Sequence, residues 1–300
     1  MKTESFTNLV GSTPCVLYKA NDLKSDVKLW IKLEGFNPSG SLKDRACLSN
    51  INAAIQDGSL SHGKTILDAS SGNMACSIAY FGAVMDFPVE VVCSSKLTTD
   101  KEDFIKYYGG KLIKYGDLTL EGNNYCRDVI YKGFEDNYCF LDQLHNWNNP
   151  LGSYNTMGPE IYNDFPNITA LIASLGSGGT LYGTAKYIKE KKKDTLIVST
   201  EASSGSVIPG TGGFDDGDYI TPFIEKGYAE GLFDERAKVT YHQALKRAKD
   251  LSQSGFFVGH QTGGVVEAAI YIINKYNLSG DVVVISGDLG WKNMEHLISK

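Results

Sequence analysis

Short runs of β-branched and apolar residues alternate with longer amphipathic stretches along most of the chain. VKLWIKLE is followed by SLKDRACLSNINAAIQDG, and TILDAS is followed by NMACSIAYFGAVM. The same alternation reaches the carboxyl end, where TGGVVEAAIYIINKY precedes DVVVIS. It is typical of βαβ units, whose parallel strands form a sheet with helices on both faces. The pattern therefore predicts an α/β protein with mostly parallel sheets flanked by helices, including helices over residues 150–164 and 241–254.

Two stretches interrupt this rhythm. Residues 145–152, HNWNNPLG, are polar and contain a proline, and they separate a strand from the next helix. Residues 203–235 are rich in glycine and acidic residues and show little apolar periodicity. We expect two α/β lobes to meet near 145–152, with a cleft at the carboxyl ends of their strands, where open sheets usually bind ligands. Loops as long as 203–235 inside a compact domain are usually functional.

Composition narrows the class of protein. With 300 residues, 42% of them hydrophobic, the chain can bury the core of one large α/β unit or of two lobes. A formal net charge of -6 argues against a nucleic-acid partner, because phosphate binding relies on clustered Lys and Arg. No apolar run reaches membrane-spanning length, and the start, MKTESFTNLVGSTP, lacks the order of a signal peptide. We therefore expect a cytoplasmic protein with no membrane partner.

Neither the cysteines nor the histidines show the spacing of a metal site. The six cysteines contain no CxxC pair and mostly lie in apolar surroundings, so we interpret them as buried, reduced thiols. The five histidines form no HExxH motif, and we expect no metal. The cysteines are Cys15, Cys47, Cys76, Cys93, Cys126 and Cys139.

Three predicted turns from a strand into a helix are rich in small residues. GFNPSGSLKDR follows VKLWIKLE, SSGNMA follows TILDA, and GSGGT follows ALIASL. Small residues at such a turn let backbone NH groups converge on an anion, assisted by the helix dipole. GSGGT, residues 176–180, is a candidate cradle for one phosphate. A tight turn without a ligand would need similar glycines, so this loop alone decides nothing.

Two polar residues in these turns suggest chemistry. Lys43 follows the constrained lead-in NPSGS at a helix start. Most lysines in such a position are simply solvated, but a lysine in a dry pocket has a lowered pKa and forms imines with carbonyl compounds. Asn73 in SSGNM can cap its helix and also bind a ligand through its amide. A phosphate cradle together with an imine-forming lysine indicates pyridoxal 5'-phosphate (PLP).

Four motifs together resemble those of the cysteine synthase family of fold-type II PLP enzymes. KLEGFNPSGSLKDR is similar to the family's lysine segment, SSGNM to its substrate loop TSGNT, and GSGGT to its phosphate loop GTGGT. LDQLHNWNNPLGSYNTMGPEI is similar to the stretch that carries a glutamine and then TGPEI. The resemblance runs from about Thr13 to Trp291. It implies a tryptophan synthase β-like fold, a smaller lobe over 37–147, a larger phosphate-binding lobe over 8–36 and 148–300, and a homodimer.

The resemblance also implies a role for each residue of the site. Lys43 would hold the cofactor as a Schiff base and move protons at the substrate Cα. Asn73 would bind the ring oxygen of the cofactor, and Ser286 would face its pyridine nitrogen. The other implied contacts are those with the cofactor phosphate, Gly176, Ser177, Gly178, Gly179 and Thr180, and those with the substrate, Ser70, Ser71, Gly72, Met74 and Gln143.

The implied reaction is β-elimination to an aminoacrylate followed by addition of a nucleophile. A neutral serine at the pyridine nitrogen makes the ring a weaker electron sink than an aspartate would, which favours prompt elimination over transamination. This inference fails if Ser286 only caps its strand. The leading hypothesis is cysteine synthesis from an activated serine and sulfide. Alternatives are a cysteine lyase that releases hydrogen sulfide while water or another thiol adds, a related enzyme with an amine nucleophile, and a non-catalytic relative that binds PLP.

The chain departs from the family pattern in several places. Met74 replaces a small or hydroxylated residue, GHQTGG at 259–264 replaces G-x-S-S-G, and GDLGWKNM replaces GERYLS after Ser286. The segment 203–235 begins like the family's glycine-bearing flap but adds acidic residues. Charge clusters usually lie in solvent, and the alternative is that one acid enters the site and activates the second nucleophile. The acids are Asp215, Asp216, Asp218 and Asp234.

Overall fold

Strands and helices alternate along the chain as the sequence pattern predicts. The computed structural model describes residues 2–19, 23 and 26–298, and the expected end of the larger lobe at residue 300 lies outside them. In this part of the chain the strands are β1 Cys15–Tyr18, β2 Val27–Leu33, β3 Thr65–Ala69, β4 Val89–Cys93, β5 Lys111–Lys114, β6 Tyr138–Phe140, β7 Ala170–Ser174, β8 Leu196–Ala202, β9 Glu235–Val239 and β10 Gly280–Ser286. The α-helices are α1 Lys43–Gln56, α2 Asn73–Val84, α3 Thr99–Tyr107, α4 Thr119–Tyr125, α5 Asn148–Asn155, α6 Met157–Asp164, α7 Gly179–Lys191, α8 Pro222–Ala229, α9 Tyr241–Gln253, α10 His260–Tyr276 and α11 Met294–Ile298.

The strands form two separate sheets. One has six strands in the order β1-β2-β10-β7-β8-β9, and its neighbouring strands are parallel except for the pair β1 and β2. The other has four parallel strands in the order β5-β4-β3-β6. The predicted α/β fold with mostly parallel sheets is confirmed. The pattern did not predict β1, because an edge strand of four residues with one buried side chain carries too little periodicity.

Strand β10 shows why the apolar runs of this chain are continuous. Val282 and Val284 pack on one face of the sheet with residues of α9 and α10. Val283 and Ile285 pack on the other face with residues of α6, α7 and α8. Because helices cover both faces, successive side chains of a parallel strand are all buried, and none of these four is more than 2% exposed.

The predicted helix over residues 150–164 is divided in two at Thr156. This residue has φ -126° and ψ -64°, and its hydroxyl donates to the carbonyl of Gly152 at 2.6 Å. Pro159 explains the break, because it has no NH to donate to the carbonyl four residues earlier. Pro159 lies in the first turn of α6, where backbone NH groups have no acceptor within the helix. The lack of an NH on Pro159 therefore costs α6 no hydrogen bond. The predicted helix over 241–254 is confirmed by α9.

The segment 203–235 lies beside the loop that follows β7. The NH of Gly212 donates to the carbonyl of Leu175 at 2.6 Å. The hydroxyl of Thr221 donates to the carbonyl of Ser177 at 2.6 Å and also caps α8, a helix that the weak pattern of this segment did not predict. The long connection is therefore attached to the glycine-rich loop at two points.

Candidate active site

Lys43 is the first residue of α1, and its side chain reaches the loop after β7. Its ammonium Nζ donates a hydrogen bond to the hydroxyl of Ser177 at 3.5 Å. Burial lowers the pKa of Lys43 from 10.5 to about 8, although the Asp68 carboxylate acts in the opposite direction. Part of the side chain remains in contact with solvent. A lysine with this pKa has a larger neutral fraction near neutral pH than a surface lysine, so its amine can attack a carbonyl carbon.

The loop Gly176–Thr180 joins β7 to α7 and presents backbone NH groups. Gly178 has φ +82°, and a Cβ there would lie 2.4 Å from Cγ1 of Ile224, so glycine is required by both conformation and space. Within the described chain, no protein acceptor takes a hydrogen bond from an NH of this loop, and the hydroxyl of Thr180 is buried without a partner. Free NH groups at a helix N-terminus attract anions. The loop therefore fits a phosphate.

Asn73 is the first residue of α2, and it contacts the segment that follows β10. Its Nδ2 donates to Oδ2 of Asp288 at 2.7 Å. The same segment also pairs with the lead-in to the lysine, since the NH of Leu42 donates to the carbonyl of Gly287 at 2.9 Å. Asp288 therefore orients the Asn73 amide close to the start of α1. The stretch GDLGWKNM departs from the family pattern, but nothing in the local sequence indicates a role for Asp288.

The turn Ser70–Gly72 is held in place by the strands on either side of it. The hydroxyl of Ser71 accepts from the NH of Ser94 at 2.6 Å and donates to its hydroxyl at 2.8 Å. Gln143, after β6, donates through Nε2 to the carbonyl of Ala69 at 2.6 Å. The structure thus brings Gln143 to the turn that the sequence identified as the substrate loop.

Ser286 ends β10 and is fully buried. Its hydroxyl shares a hydrogen bond of 2.8 Å with the hydroxyl of Thr262 in the first turn of α10. Thr262 belongs to GHQTGG, so one of the departures from the family pattern supplies this contact. The two hydroxyls are uncharged, and together they offer a neutral polar group to any ligand that reaches Ser286.

Asp68 in β3 is a fully buried acid that sequence reasoning missed. Its Oδ1 accepts from the NH of Ala69 at 2.8 Å and from the NH of Gln143 at 3.4 Å. Burial raises the pKa of Asp68 to about 8, and the Asp142 carboxylate adds to this while the backbone NH groups and Lys43 oppose it. The carboxyl therefore ties the Gln143 segment to β3 and lies within electrostatic reach of Lys43. An acid inside the apolar strand TILDA was the signal that could have revealed it.

Arg45 fixes the first turn of α1 through a buried ion network. Its guanidinium contacts Glu34 at 2.7 Å and Glu160 at 2.7 Å, and Lys32 contacts Glu160 at 2.8 Å. The side chains of Arg45 and Glu34 are 0% exposed. Although burial would raise the pKa of Glu34, the Arg45 guanidinium holds it below its ordinary value. The network joins α1 to the end of β2 and to the middle of α6, and so fixes the helix start that carries the lysine.

Met74 lies inside the hydrophobic core that covers the four-stranded sheet. It is 1% exposed and belongs to the cluster that contains Cys47, Ile51 and Ile78. This placement favours a packing role for Met74 over the contact with substrate that the sequence comparison suggested.

The four acids of the segment 203–235 all have structural partners. Each carboxylate accepts from a lysine or from a backbone NH, which favours the structural interpretation of these acids over a role in activating the nucleophile. The partners are Lys238 for Asp215, the NH of Gly205 for Asp216, the NH of Gly213 for Asp218, and Lys189 for Asp234.

The described residues contain no group of His, Cys, Asp and Glu side chains that could hold a metal ion. No helix among residues 2–19, 23 and 26–298 is long and apolar enough to cross a bilayer. All six cysteines are free thiols, and five of them are buried.

Comparison with known proteins decides the family. The family model described as pyridoxal-phosphate dependent enzyme matches residues 6–287. The chain belongs to this family. The motif resemblance to cysteine synthases is confirmed as well, and the chain is a PLP-dependent enzyme.

Several relatives show where the enzyme lies within the family. It is 31% identical to a cysteine synthase from Aquifex aeolicus over 292 residues, which cover 94% of this chain and 87% of the relative. It is 30% identical to cysteine synthase B from Escherichia coli over 285 residues, with 94% and 91% coverage. Among solved structures, a hydrogen sulfide-producing enzyme from Fusobacterium nucleatum superposes with a TM-score of 0.88 at 26% identity, covering 98% of both chains.

The polar groups of the site fit PLP. The Thr180 hydroxyl, the amide oxygen of Asn73 and the carboxylate Oδ1 of Asp288 are buried without a protein partner in the described chain. A buried polar atom of this kind is costly unless a ligand satisfies it. The Gly176–Thr180 loop would hold the phosphate, Asn73 the ring oxygen and Lys43 the aldehyde carbon. When bound, PLP supplies an electron sink for a bond broken at the substrate Cα.

The contact between Asn73 and Asp288 leads to a prediction about cofactor affinity. Asp288→Ala should weaken PLP binding by about 10- to 100-fold, because a hydrogen bond to a charged group is worth about 1.5–3 kcal/mol. The dissociation constant can be measured by fluorescence titration of the cofactor-free protein. Asp215→Ala, which removes an acid paired with the partly exposed Lys238, is the matched control and should leave the constant unchanged. Equal constants for wild type and Asp288→Ala would show that Asp288 does not organise the cofactor site.

Proposed function

We propose that this enzyme replaces the leaving group of an activated serine, such as O-acetylserine or O-phosphoserine, by sulfide to form cysteine. The hydroxyl pair of Ser286 and Thr262, 2.8 Å apart and fully buried, is the observation that carries the proposal. A neutral group at the ring nitrogen limits the electron sink and favours loss of a β leaving group over transamination. The names of the relatives from Aquifex aeolicus and Escherichia coli support the same reaction.

Each residue of the site has a proposed task in this reaction. Lys43 moves the proton at the substrate Cα, and its lowered pKa supports this role. The turn Ser70–Gly72 and Gln143 bind the α-carboxylate, and the position of Gly72, where a Cβ would meet no atom within 4 Å, supports access of a ligand to this turn. Asn73 and the loop Gly176–Thr180 hold the cofactor so that its aldehyde carbon lies next to the Lys43 amine.

Release of sulfide from cysteine is the second candidate function. In this reaction sulfide leaves, and water or another thiol adds. The structural similarity to the hydrogen sulfide-producing enzyme from Fusobacterium nucleatum supports this candidate, because that protein matches 98% of this chain at 26% identity. Both candidate reactions begin with elimination at Cβ and differ in the leaving group and in the nucleophile.

Two incubations of the purified enzyme separate these candidates. In the first, O-acetylserine and sulfide are supplied, and cysteine formation is measured. In the second, cysteine is supplied alone, and sulfide and serine are measured. We expect rapid cysteine formation in the first and slow sulfide release in the second. The opposite order of rates would replace cysteine synthesis by the lyase function.

We also propose a division into lobes, an assembly and a location. Among the residues that the structure describes, no strand belongs to both sheets, and this supports a smaller lobe over residues 37–147 and a larger lobe over 8–36 and 148–300. The family resemblance supports a homodimer. Free thiols throughout the chain support a reducing compartment such as the cytoplasm.

A further inference from the structure

Three side chains form a continuous hydrogen-bonded chain from the Gln143 segment to the segment 203–235. Oδ1 of Asp142 lies 2.8 Å from Nδ1 of His145, and Nε2 of His145 lies 2.9 Å from the hydroxyl of Tyr219. If Asp142 accepts the Nδ1 proton, the neutral imidazole presents Nε2 as an acceptor for the phenol. A base held by a carboxylate and bonded to a hydroxyl is the arrangement that activates hydroxyl groups in proteins.

The hydrogen-bonded series Asp142–His145–Tyr219 is connected to two parts of the site. Asp142 precedes Gln143, the residue that contacts the predicted substrate loop. Tyr219 lies two residues before Thr221, whose hydroxyl donates to the carbonyl of Ser177 at 2.6 Å. The Ser177 hydroxyl in turn accepts from Lys43. The three hydrogen-bonded side chains therefore link the segment that carries Gln143 to the segment that is attached to the Ser177 loop.

The Tyr219 end of this hydrogen-bonded series is more exposed than the Asp142 end, where the carboxylate side chain is 22% exposed. Tyr219 is 38% exposed, and the side chain of His145 is 29% exposed. Two neighbouring groups act on the Asp142 end. Asn123 donates to Asp142 at 2.9 Å, and Asp68 lies close enough for its pKa to be raised in part by the Asp142 carboxylate. A small molecule can therefore approach the phenol from solvent, while hydrogen bonds with Asn123 and His145 hold the Asp142 carboxylate.

We propose that Tyr219, supported by His145 and Asp142, takes the proton from the nucleophile that adds in the second half of the reaction. This inference rests on the proposed function and deepens it. The S–H or O–H bond of the nucleophile breaks, and its electron pair forms the new bond to the substrate Cβ. The proton passes to the Tyr219 oxygen as the phenol proton passes to Nε2 of His145. The nucleophile class is therefore one that carries a proton when it arrives, such as hydrogen sulfide, a thiol or water.

His145 and Asp142 are positioning residues in this proposal. The four acids of the segment 203–235 are engaged by other partners, so they leave this task to the phenol. Asp142 has φ +49°, a conformation that asparagine also tolerates, so Asp142→Asn can remove the charge without disturbing the backbone.

The test separates the two halves of the reaction in the holoenzyme. O-acetylserine alone is mixed with Tyr219→Phe and acetate release is followed in a single turnover. Sulfide is then added, and its consumption is followed below and above the pKa of hydrogen sulfide. We expect acetate release to change less than about 2-fold and sulfide addition, measured about one pH unit below that pKa, to slow by about 10-fold, because the remaining hydrosulfide adds without a base. At the higher pH, Tyr219→Phe and the wild type should add sulfide at the same rate, because hydrosulfide has already lost its proton and needs no base. Asp142→Asn should act in the same direction, and Tyr115→Phe, an exposed tyrosine stacked on Tyr125, is the matched control.

Two outcomes would overturn the inference. Equal slowing of both halves by Tyr219→Phe would show that the phenol only positions the segment 203–235. An addition rate that matches wild type at the lower pH would show that it takes no proton. Failure of the proposed function is distinguishable, because the wild-type enzyme itself would then fail to form cysteine from O-acetylserine and sulfide.

Discussion

Replacement of Lys43 by alanine is expected to lower the rate of cysteine formation by at least about 10²- to 10⁴-fold. The substitution removes the amine that holds the cofactor and the group that moves the proton at Cα, and proton transfer alone is worth a factor of this size. The measurement is the steady-state rate of sulfide consumption with O-acetylserine and excess PLP. Lys106→Ala, which changes an exposed helix lysine paired with Glu102, is the control and should retain the wild-type rate.

The same substitution should not damage the fold. The pKa of Lys43 in the folded, cofactor-free protein is about 8 and lies below its ordinary value of 10.5. The charged amine therefore opposes folding fully below about pH 8, and this opposition fades as the pH rises toward 10.5. Urea unfolding of cofactor-free Lys43→Ala near neutral pH should give a free energy of unfolding equal to or above that of wild type. Wild-type turnover, or loss of activity through unfolding, would contradict the role assigned to the lysine.

Replacement of Arg45 by alanine is expected to lower the free energy of unfolding by about 3–5 kcal/mol. The guanidinium is the main partner of Glu34, and its removal leaves a fully buried carboxylate with too few donors. Urea unfolding measures the change. Arg127→Ala is the matched control, because Arg127 and its partner Asp128 are 43% and 60% exposed and such pairs contribute about 0–1 kcal/mol.

The effect of Arg45→Ala should depend on pH. Although burial opposes it, Arg45 together with Lys32 lowers the pKa of Glu160 from 4.5 to about 2. The folded-state pKa lies below the unfolded one, so the stabilisation is present above about pH 4.5 and is lost as the pH falls through about 2. The difference between wild type and Arg45→Ala should therefore shrink in acid. Equal destabilisation by Arg45→Ala and Arg127→Ala at neutral pH would show that the network does not hold the lysine helix.

Much of the fold could be predicted from the sequence, because the parallel strands are buried on both faces. Strand β10 is a continuous apolar run for this reason, and its helical neighbours carry a clear apolar period. The predictions of elements failed where one residue or a very short strand determines the structure. Pro159 divides the predicted helix over 150–164, and the short edge strand β1 has too few buried positions to produce a pattern.

The site could be predicted where one segment carries the chemistry. The motifs around Lys43, Asn73 and the Gly176–Thr180 loop each occupy a single turn from strand to helix, and the structure brings them close together. Contacts between distant segments could not be predicted. Asp288 meets Asn73 across 215 positions, and Tyr219 meets His145 across 74, so neither pair has a signature in the local sequence.

The central claim is that Lys43 holds PLP, and absorption spectroscopy of the purified enzyme tests it most directly. An imine-linked cofactor gives a visible band at about 410 nm. We predict this band in the wild type, its loss on borohydride reduction, and a cofactor mass on the peptide that contains Lys43. A protein that stays colourless with added PLP, or a label on a different lysine, would contradict the claim.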